Sequence, residues 1–423
     1  MDKAPDGAKE KRCFPILSFA PYGAFIPSSY RFPMANAMGY SLCPLRGLNG
    51  YELLIYDLIY ILRRRIRMHR YSASVVGGGG GGRLSLTGLS LSDRFQVVAA
   101  ADLRPETCEE LKKLYPGIRT FTSHQEMFKT CPTEVVCVST FPTSHRDVTL
   151  DALKLPLKGI LVEKPLGDIA NAGREILNSI RARKLPMAVP HGLLVANHSR
   201  EILQRVRSGE IGQLTLVEIE NSRWDIINAG IHWIDYFVTL TGNEPIDYVM
   251  ALCESSTRTY RDGMQVETTA VTYIQTQSGV RCVMNTGDAV KIMPVGQKTY
   301  FRLIGTKGRI EFPGWNSVYT IMNAAHPGGR TYEVESAGRP GHQCHLENLA
   351  EQIDAGKPDY SIPEGSMLAL EICEAAYQSS RHRCKVKFPH EKFTPPHENS
   401  WDPGQPYSGA GGGRDGRKIP ENE

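Results

Sequence analysis

Ser72-Ala73-Ser74-Val75-Val76-Gly77-Gly78-Gly79-Gly80-Gly81-Gly82-Arg83 is the stretch that decides the fold. A short apolar strand runs straight into six glycines. The leucines at 84, 86, 89 and 91 then follow a loose helical spacing. Gly77, Gly79 and Gly82 fit G-x-G-x-x-G in one register only. A strand before the glycines and a helix after them is the context that this motif requires. Backbone N–H groups at a helix N-terminus face an anion there, and a Cβ would keep a phosphate away. In isolation, such a run is equally what a flexible linker looks like.

The surroundings favour the phosphate cradle. Phe95-Gln96-Val97-Val98-Ala99-Ala100-Ala101 reads as a second strand ending at Asp102, about twenty residues beyond the last glycine. A carboxylate at that point can hold both hydroxyls of an adenosine ribose and repels a 2′-phosphate, which favours NAD; Arg104 nearby keeps NADP as the alternative. Pro105 to Tyr115 reads as a helix, Glu134 to Thr140 as a strand, Ser144 to Leu153 as a helix and Gly159 to Val162 as a strand. Asp168 to Lys184 then reads as a helix and Met187 to Val189 as a strand. Strands alternating with helices imply a parallel sheet covered on both faces.

After about residue 210 the rhythm changes. Leu214 to Arg223, Tyr248 to Ser255, Thr268 to Gln277, Val280 to Thr286, Phe301 to Ile304 and residues 307–312 read as strands, with Gln277-Ser278-Gly279 as a hairpin turn. Helices are expected at Ile231 to Leu240, stopped by Thr241-Gly242, and at Leu346 to Ala355 and Met367 to Arg381. The expected organisation is an extension of unknown role at 1–70, an α/β Rossmann dinucleotide-binding domain at 71–190 and an α+β domain with a large open, mainly antiparallel sheet at 191–390. An unstructured tail is expected at 391–423.

Composition narrows the function classes. The 423 residues are 41% hydrophobic and 22% charged, an ordinary globular balance. A formal charge of +4 is small for this length and argues against a nucleic-acid partner. None of the ten cysteines forms a CxxC pair, so no metal is expected, and free thiols fit a reducing, cytoplasmic setting. The apolar run at residues 51–62 is too short to span a bilayer as a helix and is interrupted by Glu52 and Asp57, so no membrane association is expected.

Val162-Glu163-Lys164-Pro165 closes the strand at 159–162, on the sheet edge where doubly wound folds bind ligands. A lysine there can move a proton if burial or charge lowers its pKa; in isolation it is as readily a surface ion pair. Together with Gly77-x-Gly79-x-x-Gly82-Arg83, Pro142-Thr-Ser-His145, Ser208-Gly-Glu-Ile-Gly212, Gly230-Ile-His232-Trp-Ile-Asp235 and Gly305-Thr-Lys-Gly308, this segment resembles the Gfo/Idh/MocA family of oxidoreductases. The resemblance covers roughly residues 72–390. It implies that Lys164 lies beside the substrate, before a cis Pro165, and that Ser139-Thr140-Phe141-Pro142 lines the nicotinamide side. The implied cofactor set is Gly77, Gly79, Gly82, Arg83, Asp102, Arg104, Thr140, Pro142, His145, Glu163 and Lys164. The implied substrate set is Lys164, Asn228, His232 and Asp235, with Lys164, His232 and Asn228 as catalytic candidates.

Asn228, His232 and Asp235 would share a helix face. Many relatives have an aspartate where this chain has Asn228, and an amide supplies neither charge nor a proton acceptor. Asp225, one turn earlier, is a substitute. Without the resemblance, His232 reads as a core histidine beside Trp233 and Asn228 as an N-cap. His191, Asn197, His198 and Arg200 read evenly as substrate contacts or as a solvated helix start. The expected function is NAD(P)-dependent oxidation or reduction of a secondary alcohol or ketone of a sugar, cyclitol or related polar metabolite. The alternatives are an NAD-retaining lyase, epimerase or glycosidase, and a non-catalytic NAD-sensing protein. A homo-oligomer, dimer or tetramer, is expected.

Overall fold

The computed structural model describes residues 69–256, 260–292, 297–394 and 404–406. The apolar run at 51–62 lies outside the described residues, as does nearly all of the expected N-terminal extension.

The first half alternates as expected. In chain order it runs β1 (Tyr71–Val76), α1 (Gly80–Leu91), β2 (Phe95–Ala101), α2 (Pro105–Leu114), β3 (Arg119–Phe121), α3 (His124–Thr130), β4 (Val135–Val138), α4 (Pro142–Ala152), β5 (Gly159–Val162), α5 (Ala170–Ala182) and β6 (Met187–Ala188). All six strands pair in parallel, in the order β3-β2-β1-β4-β5-β6. β4 and β5 are wholly buried, which is why they read as continuous apolar runs without alternation. The order reverses between β1 and β4, and a crevice opens at the carboxyl ends of those strands. β3 and α3 escape the sequence reading. β3 is three partly exposed residues at the sheet edge, too short for a period. α3 is announced by its cap alone: the Ser123 hydroxyl accepts the Glu126 N–H, three residues on.

The second half continues with α6 (Gly192–Val195), α7 (Asn197–Arg207), β7 (Leu214–Ser222), a π-helical turn (Ile226–Gly230), α8 (Ile231–Leu240), β8 (Ile246–Glu254), β9 (Thr269–Thr276), β10 (Arg281–Gly287), β11 (Thr299–Gly305), β12 (Gly308–Pro313), β13 (Val318–Asn323), β14 (His326–Glu333), α9 (Gly341–Ala355), α10 (Ser361–His382) and β15 (Val386–Lys387). Nine strands form one sheet in the order β14-β13-β12-β11-β7-β10-β9-β8-β15, antiparallel except for β10 beside β7. Gly279, at φ 92°, makes the β9–β10 turn, and Gly242, at φ 71°, ends the run after α8. β13 and β14 were not expected. Glycines and exposed polar residues in His326–Glu333 hide the alternation there.

Two helices fasten the halves together. α10 lies on β8 and against α8 and α5. α9 turns back onto α1, and its Ile353 Cδ1 would lie 2.8 Å from a Cβ placed on Gly159, so that glycine lets α9 approach β5. α9 begins five residues before the expected Leu346, with His342 and His345 in its opening turns. Seven residues of the expected tail, 391–394 and 404–406, are described, and the last three pair with the core: the Gln265 N–H donates to Gln405 O at 2.9 Å, and Pro406 bridges Met264. The polar composition of 391–423 concealed that strand-like pairing.

The face of the large sheet beneath α8 is aromatic. Phe301 and Phe312 are cross-strand partners whose rings stack at 4.7 Å, and Tyr236 and Trp233 of α8 pack edge-on against Phe301. All four are buried. Truncating Phe301 to alanine is therefore expected to cost about 3–5 kcal/mol. Urea unfolding should give a lower midpoint at an unchanged slope, and a loss below about 1 kcal/mol would show that this stack does not anchor α8.

Candidate functional site

The glycine run forms a cradle at the switch between β1 and β4. A Cβ on Gly77, which sits at φ 99°, would lie 2.2 Å from Ser139 O. A Cβ on Gly82 would lie 1.8 Å from Gly77 O, so α1 reaches this close to the turn only with glycine there. Gly79, by contrast, is the N-cap of α1, and a Cβ on it would meet nothing within 4 Å. Nor does any side chain cap this helix or place an acid in its first turn. The N–H groups at its head therefore face open space, the arrangement that suits a pyrophosphate.

Asp102 closes the cradle. Its carboxylate accepts the Gly78 N–H at 2.8 Å and the Arg104 N–H at 2.9 Å, with the Arg104 guanidinium at 3.3 Å. The Arg104 side chain is 60% exposed. Arg83 braces the loop from behind: its Nε donates to Gly78 O at 3.2 Å and its guanidinium pairs with Glu110. Pro142 is the buried first residue of α4. The Thr140 hydroxyl accepts the Ser144 hydroxyl at 2.8 Å. His145 is buried, with Nε2 at 3.0 Å from Thr140 O and Nδ1 at 2.9 Å from Pro165 O. It links the β4–α4 loop to the proline rather than facing the cradle.

Lys164 and Pro165 are joined by a cis peptide bond, as the resemblance implies. Lys164 Nζ donates to the main-chain oxygen of Asn228 at 2.6 Å, from the π turn after β7. The carbonyl, not the side chain, holds the lysine, so this contact does not depend on which residue occupies position 228. The amide of Asn228 is committed elsewhere: its Nδ2 and its backbone N–H both donate to Asp225 Oδ1, at 2.9 and 2.8 Å. Asp225, not Asn228, is thus the cap. Its other oxygen accepts Arg261 at 3.0 Å. Asp225 holds the turn instead of standing in as a charged neighbour of His232. Because 226–230 is π-helical and α8 starts at Ile231, Asn228, His232 and Asp235 do not lie on one α-helical face.

Glu267 supports the same turn, accepting the Ile226 N–H at 2.6 Å and the Tyr377 hydroxyl at 2.9 Å. Burial, and then the Asp225 carboxylate, push its pKa up to about 7. Glu163, at the end of β5, is buried and lies 2.6 Å from His342 Nε2. Burial pushes its carboxyl up, but the charge and hydrogen bond of His342, with Lys164, win and hold it below the usual range.

His232 does more than fill core. Burial first, then the Lys164 charge, then His191, His342 and His345, keep its imidazole well below the ordinary pKa, so it is neutral near pH 7. Its Nδ1 lies 3.1 Å from Nδ1 of His191, which has no exposed surface. Asp235, expected among the substrate contacts, is also fully buried, with its carboxylate 3.4 Å from His191 Nδ1. It lies one helical turn after His232, and what removes it from a ligand is its complete burial beside His191. Of the residues weighed with His191, His198 is buried against Gly314 O, while Asn197 and Arg200 bond backbone oxygens nearby.

Trp315 carried no signal in the sequence. It follows β12, its ring is 6.0 Å from that of His232 and 5.1 Å from Trp233, and it is 51% exposed. His342 and His345 were missed because α9 starts earlier than its apolar spacing suggests.

Burial also depresses the pKa of His345, to about 4. Between pH 6.5 and about 4 the unfolded chain takes up a proton there that the folded chain refuses, so this histidine lowers stability as pH falls, by about 1.4 kcal/mol per unit. Glu267 and Asp235, both raised by burial, act in the opposite sense, which makes a difference measurement the right one. His345→Gln should lose less stability than the parent between pH 6.5 and 5 in urea titrations. Equal losses would contradict the buried neutral imidazole.

Two family models match the chain: the oxidoreductase family with an NAD-binding Rossmann fold, GFO_IDH_MocA, over residues 72–191, and its C-terminal α/β domain over residues 226–388. The chain is 23% identical over 334 residues to the rhizopine catabolism protein MocA of Rhizobium meliloti, covering 73% of this chain and 95% of that protein. It is 29% identical over 181 residues to inositol 2-dehydrogenase of Rubrobacter xylanophilus, covering 39% of this chain and 51% of that one. Its fold matches an oxidoreductase from Agrobacterium radiobacter in complex with NAD+, L-tartaric acid and magnesium, at a TM-score of 0.63 and 16% identity, covering 75% and 98% of the two chains. It also matches a variant of KijD10, a 3-ketoreductase from Actinomadura kijaniata in complex with TDP-benzene and NADP, at 0.62 and 16%, covering 73% and 97%.

Proposed function

The chain belongs to the Gfo/Idh/MocA oxidoreductase family, with its NAD-binding Rossmann fold, and from that premise we propose that it interconverts a secondary alcohol and a ketone on a polar ring, a sugar or cyclitol, with NAD as cofactor. The observation that carries this reading is the bond from Lys164 Nζ to Asn228 O at 2.6 Å, which holds an ammonium near the neutral imidazole of His232. Gly77 to Gly82 and the head of α1 would hold the pyrophosphate, and Asp102 the adenosine ribose. A bound nicotinamide supplies the hydride acceptor or donor.

The protein's own groups do the rest. Lys164 places positive charge and N–H donors where an alkoxide oxygen develops. His232, held neutral, has an imidazole nitrogen able to take the hydroxyl proton, and returns it in the reverse direction. The half-exposed Trp315 beside His232 offers a flat apolar surface to the C–H face of a ring, which favours cyclic substrates over open-chain polyols. The carboxylate of Asp102 favours NAD over NADP.

Thermal-shift titration should give stronger stabilisation with NAD than with NADP. A panel of inositols and aldoses, followed by NADH absorbance, should then reveal turnover. Lys164→Met should reduce turnover by about 10²- to 10⁴-fold while leaving NAD binding nearly unchanged. Loss of NAD binding in that variant counts against the assignment, and product formation without net NADH would favour a transient-oxidation cycle.

A homodimer or tetramer fits the same picture. Met250, Leu252 and Val271 of the paired strands β8 and β9 turn to solvent, and across the sheet Arg302 bridges Glu218 and Glu311. A second copy would cover this face. Light scattering should give a mass at least twice that of the chain, and Leu252→Glu should lower it.

A further inference from the structure

We propose that His191 is the proton partner of His232: it fixes the ring tautomer of His232 and receives the proton that His232 takes from the substrate. This rests on the reading of His232 as the proton acceptor, and adds to it a second residue, with no role of its own so far, that meets neither substrate nor cofactor.

The geometry brings the two rings within hydrogen-bond distance. The two Nδ1 atoms are 3.1 Å apart and the rings stand edge to face, at 83°. Two neutral imidazole nitrogens at that distance share one hydrogen, so one donates and the other accepts. The remaining nitrogen of His191, Nε2, lies 2.8 Å from Ser366 Oγ of α10, a hydroxyl able to accept or to donate. His191 is therefore bonded at both nitrogens and buried. Its backbone is fixed as well, since its carbonyl oxygen lies 3.0 Å from His345 Nε2 of α9.

This chain of contacts admits two sets of tautomers, and the proposal takes the one that leaves His232 a proton acceptor. With the shared hydrogen on His232 Nδ1, the lone pair of His232 Nε2 is left for the substrate, and His191 carries its own hydrogen on Nε2, donated to Ser366. In alcohol oxidation the substrate O–H bond breaks and an N–H bond forms at His232 Nε2. The O–H electron pair becomes part of the carbonyl, and the carbinol hydride leaves to the nicotinamide dinucleotide as oxidant. The Nδ1 hydrogen then crosses to His191 Nδ1, so the positive charge moves one ring away. Ketone reduction runs the same path backwards.

Several charged or titratable groups face the pair. His232 faces Lys164 from the end of β5, His342 and His345 from α9, and His191 from the loop before α6. Burial, and with it the Lys164 charge, disfavours a cation on either ring. His191 in turn has the Asp235 carboxyl of α8 at 3.4 Å, a group that burial alone keeps protonated and that a nearby cation draws towards ionisation. Asn228 cannot serve instead, since its amide takes no proton and is bonded to Asp225.

The test uses the full chain with ¹⁵N-labelled histidine, and long-range ¹H–¹⁵N spectra in which His232 is identified by its loss in His232→Asn. The parent should show His232 as the Nδ1–H tautomer. His191→Gln keeps an acceptor for that hydrogen and should retain the tautomer; His191→Leu removes it and should shift His232 towards the Nε2–H form. In parallel, His191→Gln should lower kcat at least about tenfold on the fastest alcohol of the inositol and aldose panel. NAD affinity and substrate KM should stay within about threefold, because the altered residue meets neither ligand. An unchanged His232 tautomer in His191→Leu, or a parental kcat in His191→Gln, overturns the proposal. If His191→Leu does not fold, His191→Gln decides through kcat. His232→Asn with parental turnover would instead sink the assignment of His232, and the two failures are thereby distinguished.

Discussion

An ammonium at the end of β5 is held at 2.6 Å by a main-chain carbonyl from the turn after β7. One partner belongs to the parallel sheet and the other to the segment that leaves β7 of the large sheet for α8. Much of the surrounding structure keeps those two points together. Asp225, braced by Arg261, caps the π turn, and Glu267 holds its first N–H. The cis peptide and the buried His145 set the lysine's side of the contact. A carbonyl dipole satisfies the ammonium without neutralising it, so its positive charge is kept for the oxyanion of the proposed reaction.

The same charge shapes what lies around it. Glu163 stays ionised although buried, because His342 and Lys164 outweigh desolvation. His232 stays neutral because burial and Lys164 act together. An imidazole beside a fixed cation is thus kept free of its proton, the state that the proposed alcohol oxidation needs. In the proposed oxidation, proton acceptance at His232 would place a cation next to a cation, and a second imidazole stands at 3.1 Å to receive the proton.

The cradle obeys a different constraint, steric rather than electrostatic. Gly77 and Gly82 are set by contacts of about 2 Å that any Cβ would make with backbone oxygen. Gly79 is set by open space. Three glycines in one motif therefore answer to two opposite demands: internal closeness for the outer pair, and access from outside for the middle one.

The cradle, the alternation of the parallel sheet, Asp102 at the end of β2 and the Glu-Lys-Pro edge were legible in the sequence, because each is local: a period, a spacing or a turn carries it. The face shared by Asn228, His232 and Asp235 was also a local inference, and there it failed. A π turn capped by Asp225 replaced the α-helical register, and that cap depends on Arg261, thirty-six residues away. Tertiary packing alone decided that Asp235 is buried beside His191, that His191 meets His232 and that Trp315 stands beside His232. Those groups come from the loop before α6, from α8 and from the turn after β12, and the pairing of burial with charge that fixes their protonation exists only once the segments have closed on one another.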